Sequence, residues 1–450
     1  MKMGNSNVTL NQVILNNLLT AVIFISFIVG FFLEENSAGG GNIDELKHHW
    51  RNFQLFLNND FFTAIKLTAG GSDALGNSYS SSRTPLIPII QAFFISFFNV
   101  KKIFIPEDLF YFRFVIFILS LSAPIILYKC LKKKNLFLQK DQLLLLSSLI
   151  LLLSPYFRTS AYWGYTENFT FIAMLLSYYF LYNFLGNEKI IYLKREIFYV
   201  TLFSSLCVYF DVKTIIIPIL CYYFILISNI SFKDKLLATI YYFFLSLPFL
   251  YLFYIWGGPI PPEQMGGRNA GFYFYAENIG YASSIISFYL LPILFFKFNS
   301  LKDLKKIFLN RKLYFYLLAT TLYLIILNGT FNFEEQIFLG KGILHKFVEL
   351  LTESHGLKII LTYIGFFISL LILFLFLEKM IDTLTIVFLI LISVISTWIF
   401  QEYYDPLILL LVFTFFSTKI LINNRNLILL ALYQASFLLV AVLYYTKTIS

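Results

Sequence analysis

Apolar runs long enough to cross roughly 30 Å of hydrocarbon, about 20 residues each as a helix, recur from one end of the chain to the other. A sequence built this way has the bilayer as its main solvent. Its composition agrees: 59% of the residues are hydrophobic, 20% aromatic and only 13% charged, a balance no soluble domain of 450 residues keeps dissolved. No stretch is long and polar enough to fold as a separate soluble domain, so residues 1–450 read as a single integral membrane domain. The expected fold class is all-α, a polytopic transmembrane helical bundle of about thirteen spans.

Those spans are expected near 12–32, 109–131, 142–156, 168–186, 197–210, 213–228, 237–255, 278–297, 313–328, 357–377, 382–399, 407–422 and 427–445. The basic connectors Lys129 to Lys140, Lys189 to Arg195, Lys233 to Lys235, Lys297 to Lys312 and Lys419 to Arg425 then belong on the cytoplasmic side. This distribution accounts for the net charge of +9 and argues against nucleic acid as a partner, because the cations sit in short loops between apolar runs. The polar segments 33–84 (the first external loop), 257–277 and 329–356 fall on the opposite, non-cytoplasmic face on one condition. The run from Pro85 to Pro106 must make no net crossing, as a hairpin, a re-entrant piece or a surface-lying helix; a single ordinary span there would invert every later basic connector.

The first apolar run, from Val13 to Leu33, is longer than a signal-peptide core and lacks a small-residue cleavage site, which makes it a retained first span. Cys130, Cys207 and Cys221 have no paired spacing that suggests a disulfide framework or a metal. A multi-pass protein of a bacterial inner membrane or of the endoplasmic reticulum is the expectation. The sequence shows neither two related halves nor broken helices.

Within the first external loop, Leu46, Trp50, Phe53 and Leu57 recur at helical spacing while Asp44, His48 and Arg51 share another stripe. That is the pattern of an amphipathic helix lying at the membrane surface. Gly70, Gly71, Gly76 and the serines Ser78 to Ser82 follow as a loop. Because an ionised side chain at the bilayer centre costs about 2.5–3.5 kcal/mol on insertion scales, charges beside spans are the search set for function. On this topology Asp44, Glu45, His48, Arg83, Arg158, Glu167, Asp211, Lys213, Glu263, Arg268, Glu334, Glu335, Glu402 and Asp405 share the external face.

Sugar transfer from a lipid-phosphate donor to a hydroxyl needs a carboxylate to take the acceptor proton and cations or a metal to stabilise the departing phosphate. Asp44 and His48 lie one helical turn apart, although acidic residues also begin helices because the dipole favours them. His48, His49 and Asp44 would make a zinc set only if two consecutive histidines turned to one side. Arg83, before Thr84 and Pro85, either holds a lipid phosphate or anchors at the headgroups. Lys213 has Asp211 two positions before it, so the two either neutralise each other or leave the lysine for a phosphate. Tyr162, Trp163 and Tyr165 fit sugar stacking as well as an interfacial aromatic belt.

Four stretches, in this order, carry a resemblance. Asp44-Glu45-Leu46-Lys47-His48 resembles an Asp-Glu-x-x-His motif, Thr84-Pro85-Leu86 a Thr-x-Pro-Gly-Leu entry to an apolar segment, Tyr165-Thr166-Glu167 a Tyr-Thr-Glu, and Trp256-Gly257-Gly258-Pro259-Ile260 a Trp-x-Gly-Gly-Ile. They make the first 280 or so residues similar to the GT-C superfamily of polyprenyl-phosphate-sugar-dependent glycosyltransferases, and within it to the dolichyl-phosphate-glucose alpha-1,2-glucosyltransferases. The family has Arg-Gln-Thr-Asn where this chain reads Asp211-Val212-Lys213-Thr214, and the histidines after its Trp-Gly-Gly segment are absent.

The resemblance implies an inverting transfer of a sugar from a polyprenyl-phosphate donor to a lipid-linked or surface glycan acceptor. Asp44, Glu45 and His48 take the catalytic roles, and Arg83, Arg158, Tyr165, Glu167, Lys213, Trp256, Glu263 and Arg268 the substrate-binding ones. No ligand spacing establishes a metal or another cofactor; a divalent cation would draw oxygen ligands from the external carboxylates. The expected partners are the donor, the acceptor and membrane lipids. The rival readings are a transporter or flippase of lipid-linked saccharides, and a polysaccharide polymerase or ligase.

Overall fold

The computed structural model describes residues 10–72, 78–79, 84–97, 109–134, 141–186, 190–258, 274–297, 311–329, 331, 333, 340–394, 399–418, 420 and 423–449. Helices make up nearly all of the regular structure among them. The exception is a minimal antiparallel ladder in the first polar loop, with Gly71 opposite Tyr79 and Ser72 opposite Ser78.

Among the described residues six helices are long and apolar enough to cross a membrane: Gln12–Phe32, Leu109–Lys134, Glu167–Gly186, Phe232–Trp256, His355–Phe376 and Asn424–Thr446. A seventh arises if Asp141–Leu153 and Pro155–Tyr162 form one span bent by 69°. Shorter apolar helices, Val212–Ile227, Leu313–Asn328 and Met380–Val394, accompany them. Ile190–Phe210 has the length but carries Lys194, Arg195 and Glu196 together near its start.

The 69° bend corrects the expectation of unbroken spans. Its cause is local. Pro155 has no N–H to offer and biases Ser154 to extended backbone, and the Ser154 hydroxyl accepts from the Phe157 N–H at 3.0 Å, so a new helix is capped where the old one stops. The same logic starts Phe61–Leu67, where Asp60 accepts from the N–H groups of Phe62 and Thr63, both at 3.1 Å. Gly257, at φ +70°, closes Phe232–Trp256 in the left-handed conformation that glycine tolerates.

Helices surrounded by lipid gain little from hydrophobic association, so close backbone approach and polar cross-links decide how they pack. Gly280 lies directly under the Phe366 ring, leaving no room for a Cβ, and Gly365 admits the Leu344 side chain in the same way. At the basic end of the bundle, Lys134 Nζ donates to the Phe416 carbonyl at 2.7 Å and the Val412 carbonyl at 3.3 Å. Beside it the buried Asp382 accepts from the N–H groups of Ser417 and Thr418, each at 2.8 Å.

The opposite end gathers the polar loops. Ser37 N–H donates to Thr159 Oγ1 at 3.1 Å, Thr84 Oγ1 to the Phe210 carbonyl at 2.9 Å, Trp256 Nε1 to Thr68 Oγ1 at 3.0 Å, and Asn278 Nδ2 to the Ser393 carbonyl at 3.0 Å. The helix Leu86–Phe97 belongs here too. Its 12 residues span about 18 Å, and Ala92 packs with Leu55, Phe56, Ala64, Ile65, Leu252 and Trp256. Thr84 enters this segment and Leu109 leaves it at the same end of the bundle, where Leu109 and Gln91 line one recess with Glu45. Residues 98–108 lie outside the described set.

The first polar loop does hold an amphipathic helix, but in a different register from the expected stripe. Gly41–Asp44 is one α-helical turn, Glu45–Trp50 is π-helical, and only Arg51–Asn58 is regular α-helix. The wider i→i+5 bonding of the π turn rotates everything after it. The buried face is consequently Asn52, Phe53, Leu55 and Phe56, while Leu46 is exposed.

Candidate functional site

Asp44 ends the first turn of that loop helix and is half-buried. Its carboxylate rests against the bare Cα of Gly40, which has φ +74°; any side chain there would collide with Asp44 Oδ2 and approach the Tyr165 hydroxyl. Tyr165 O–H in turn donates to the Gly41 carbonyl at 3.0 Å. Two residues far apart in sequence, Asp44 and Tyr165, therefore flank one glycine. Glu167, two positions after Tyr165, is buried in the first turn of its helix.

Glu45 is in a different situation. It is 1% exposed, and Arg113 grips it with Nε 2.8 Å from Oε1 and 2.9 Å from Oε2, with Nη2 also on Oε2. Arg113 Nη1 reaches Glu34 at 3.1 Å, and its guanidinium lies 4.3 Å from the Trp163 ring centre. Burial pushes the Glu45 carboxyl above its usual range, with Arg113 opposing the shift. Glu45 thus forms a wall of the site rather than a solvent-facing base. A small recess beside it is lined by Glu45, Trp50, Phe53, Gln91, Leu109 and Phe112, among others.

Arg158 is closed over by Glu35, with Nε 2.8 Å from Oε1 and Nη2 2.6 Å from Oε2, and it also donates to the Ser26 carbonyl at 2.8 Å. Its side chain is 3% exposed and its fork is filled, so in this arrangement it braces the loop against the first span. Lys213 does not pair with Asp211 among the described residues. The Asp211 carboxylate accepts the Lys213 backbone N–H at 3.1 Å, and the ammonium sits 3.7 Å from the centre of the Tyr403 ring. Trp256 is held by Thr68 in the apolar cluster around Leu86–Phe97.

The His48 backbone lies in the π turn, but its side chain and that of His49 are outside the described set, as are Arg83, Glu263, Arg268, Glu334 and Glu335. Among the described residues no three His, Cys, Asp or Glu side chains come together as a metal-binding group.

The carboxyl-terminal third joins this same end. Gln401 accepts the Ile343 N–H at 3.2 Å and donates to the Tyr289 hydroxyl at 3.0 Å, tying the Tyr403 turn to the helix Gly342–Leu351. From that helix Lys346 reaches the rings of Tyr444 and Tyr445, at 4.2 and 5.2 Å from their centres. Tyr445 covers Gly39 in the first loop, where φ of +82° and the ring leave space for glycine alone. A chain of contacts therefore links Asp44, Tyr165, Lys346, Tyr403 and Lys213.

Glu34, Glu35, Arg113 and Lys346 were not among the residues expected from sequence to form the site. Arg113 carried a signal, since a lone arginine inside an apolar run is expensive unless paired. Known proteins offer no further guide, since no protein family, curated protein or solved structure matches this chain.

Proposed function

We propose that the chain is a multi-pass membrane glycosyltransferase that moves a sugar from a polyprenyl-phosphate donor to a hydroxyl of a lipid-linked or surface glycan. In this reading the chain crosses about thirteen times, the shorter apolar helices included, and the polar end faces away from the cytoplasm. The observation that carries it is the environment of Asp44: a half-buried residue whose carboxylate lies beside the Tyr165 phenol, linked by a chain of contacts to Lys346 and Lys213.

Asp44 takes the proton of the acceptor hydroxyl as its oxygen attacks the anomeric carbon. The bond from that carbon to the phosphate oxygen breaks, polyprenyl phosphate leaves, and the anomeric centre inverts. Lys213 and Lys346 supply positive charge for the departing phosphate. Glu45 and Arg113 hold the start of the π turn, so Glu45 serves position rather than proton transfer. Membrane lipids surround the bundle.

The test is transfer by the purified full-length protein from a panel of polyprenyl-phosphate sugars to a lipid-linked acceptor. Wild type should transfer with at least one donor, and Asp44→Asn should not. Full transfer by Asp44→Asn would remove Asp44 from the role of base. A flippase of lipid-linked saccharides is the second reading, favoured by the 69° break at Ser154–Pro155, since broken helices mark many transport paths. Movement of a labelled lipid-linked saccharide across vesicles, with no transfer from any donor, would decide for it.

A further inference from the structure

Apart from the acid-bearing loop, the helix Gly342–Leu351 carries an imidazole in an unusual setting. His345 is 0% exposed. Its Nδ1 lies 3.2 Å from the Tyr281 hydroxyl, its ring stacks on Phe333 with centres 4.4 Å apart, and among the described residues its Nε2 has no hydrogen-bond partner. In the tautomer where Tyr281 O–H donates to Nδ1, the ring proton resides on Nε2, which is then a buried donor lacking an acceptor among the described residues. Native interiors rarely leave such a group unmatched.

Three lysines lie near enough to act on its charge. Lys341 Nζ is 5.4 Å from the centre of the Tyr281 ring and Lys358 Nζ 5.5 Å from that of Phe333, the two rings in contact with His345. Both lysines are buried. Lys346 follows His345 directly, with Glu349 as a nearby carboxylate. Burial and the charges of Lys341, Lys358 and Lys346 hold the imidazole neutral, its pKa down at about 4. Lys341 also sits at φ +59°, immediately before Gly342 at φ +69°. A side chain other than glycine held left-handed is strained, and such strain collects where a particular side-chain position is required.

We propose that His345 Nε2 and the ammonium groups of Lys341, Lys346 and Lys358 form a phosphate-binding site that takes the phosphate of a lipid-linked substrate. The imidazole donates a directed hydrogen bond and the lysines supply charge around it. Through Lys346, Tyr445 and Gly39 the site is linked to the loop that carries Asp44. Identifying the bound group with the sugar donor rests on the glycosyl-transfer reading; binding of phosphate does not.

Binding can be measured on the full-length protein in phosphatidylcholine nanodiscs, by phosphorus NMR and thermal shift, with a short-chain polyprenyl phosphate in one arm and inorganic phosphate in the other. The polyprenyl phosphate should bind and inorganic phosphate should bind more weakly. His345→Phe and Lys341→Gly should each weaken binding about tenfold, the effect of one lost charge-assisted contact. Their melting temperatures should hold or rise, because one removes an unmatched donor and the other a strained backbone. No binding to wild type, or unchanged binding by both variants, would overturn the site. Equal affinity for inorganic phosphate would keep the site and overturn its lipid assignment. Binding without transfer from any sugar donor would leave the site intact and remove the glycosyl-transfer reading.

Discussion

Asp44 is half-buried against Gly40, while one residue on Glu45 is enclosed by Arg113, and substitution should separate the two. Asp44→Asn preserves shape and removes the base; transfer should fall by about 10²–10⁴-fold with the melting temperature unchanged. Glu45→Gln removes the charge opposite a guanidinium whose side chain is only 12% exposed. Breaking one half of a buried pair costs about 3–5 kcal/mol, so this variant should melt well below wild type, read by a thermal melt in detergent. The converse pattern, a stable Glu45→Gln without activity and an active Asp44→Asn, would exchange the two roles. Asp44 was visible in sequence as a charge beside a span, and Tyr165 as an aromatic suited to sugar stacking or an interfacial belt. Arg113 was visible as a charge in an apolar run, but its partner stands 68 positions away, and no local pattern reports a pairing over that distance.

Two joints between elements make their own predictions. Asp405, in the turn before Leu407–Phe413, is buried and accepts the Tyr156 N–H at 3.2 Å, next to the helix break. Burial pushes its carboxyl from the usual 3.8 up to about 7, against the hydrogen bonds from Tyr156 and Ser154. The folded protein therefore holds a proton that the unfolded chain releases, and stability should fall as pH rises from about 4 to about 7. Melting temperatures at pH 5 and pH 8 should differ in that direction, and Asp405→Asn, which keeps an acceptor oxygen, should reduce the difference. At the second joint, Gly280→Ala places a methyl into the Phe366 ring and should destabilise by about 1–3 kcal/mol through forced separation of Glu277–Lys297 from His355–Phe376. Apolar periodicity made these helices legible. It could not show the π turn at Glu45–Trp50, because a register change leaves composition untouched, so the stripe through Leu46 and Leu57 was misaligned while Phe53 was placed on the buried face. The Ser154–Pro155 pair was a readable cap-and-stop signal, submerged in a run of leucines.

For the molecule as a whole, the arrangement of residues 84–109 decides which groups share a face. The helix Leu86–Phe97 packs with Leu55, Ile65 and Trp256, and Leu109, where Leu109–Lys134 begins, lines a recess with Gln91 of that helix and with Glu45. The three native cysteines, Cys130, Cys207 and Cys221, are all buried, which leaves an introduced thiol as the reactive one among the described residues. In sealed vesicles of known orientation, a membrane-impermeant maleimide should reach Leu46→Cys and Ser96→Cys, both exposed positions, from the same side when residues 84–109 make no net crossing. Lys132→Cys, at the far end of the crossing helix and 61% exposed, should react only from the other side. Labelling of Ser96→Cys together with Lys132→Cys would turn the segment into a true span. The first loop with Asp44 would then face away from any site reached after that crossing, and a base there could not serve a phosphate held by Lys213 or Lys346. Agreement between positions 46 and 96 is thus what the proposed chemistry requires of the topology, independently of which sugar is carried.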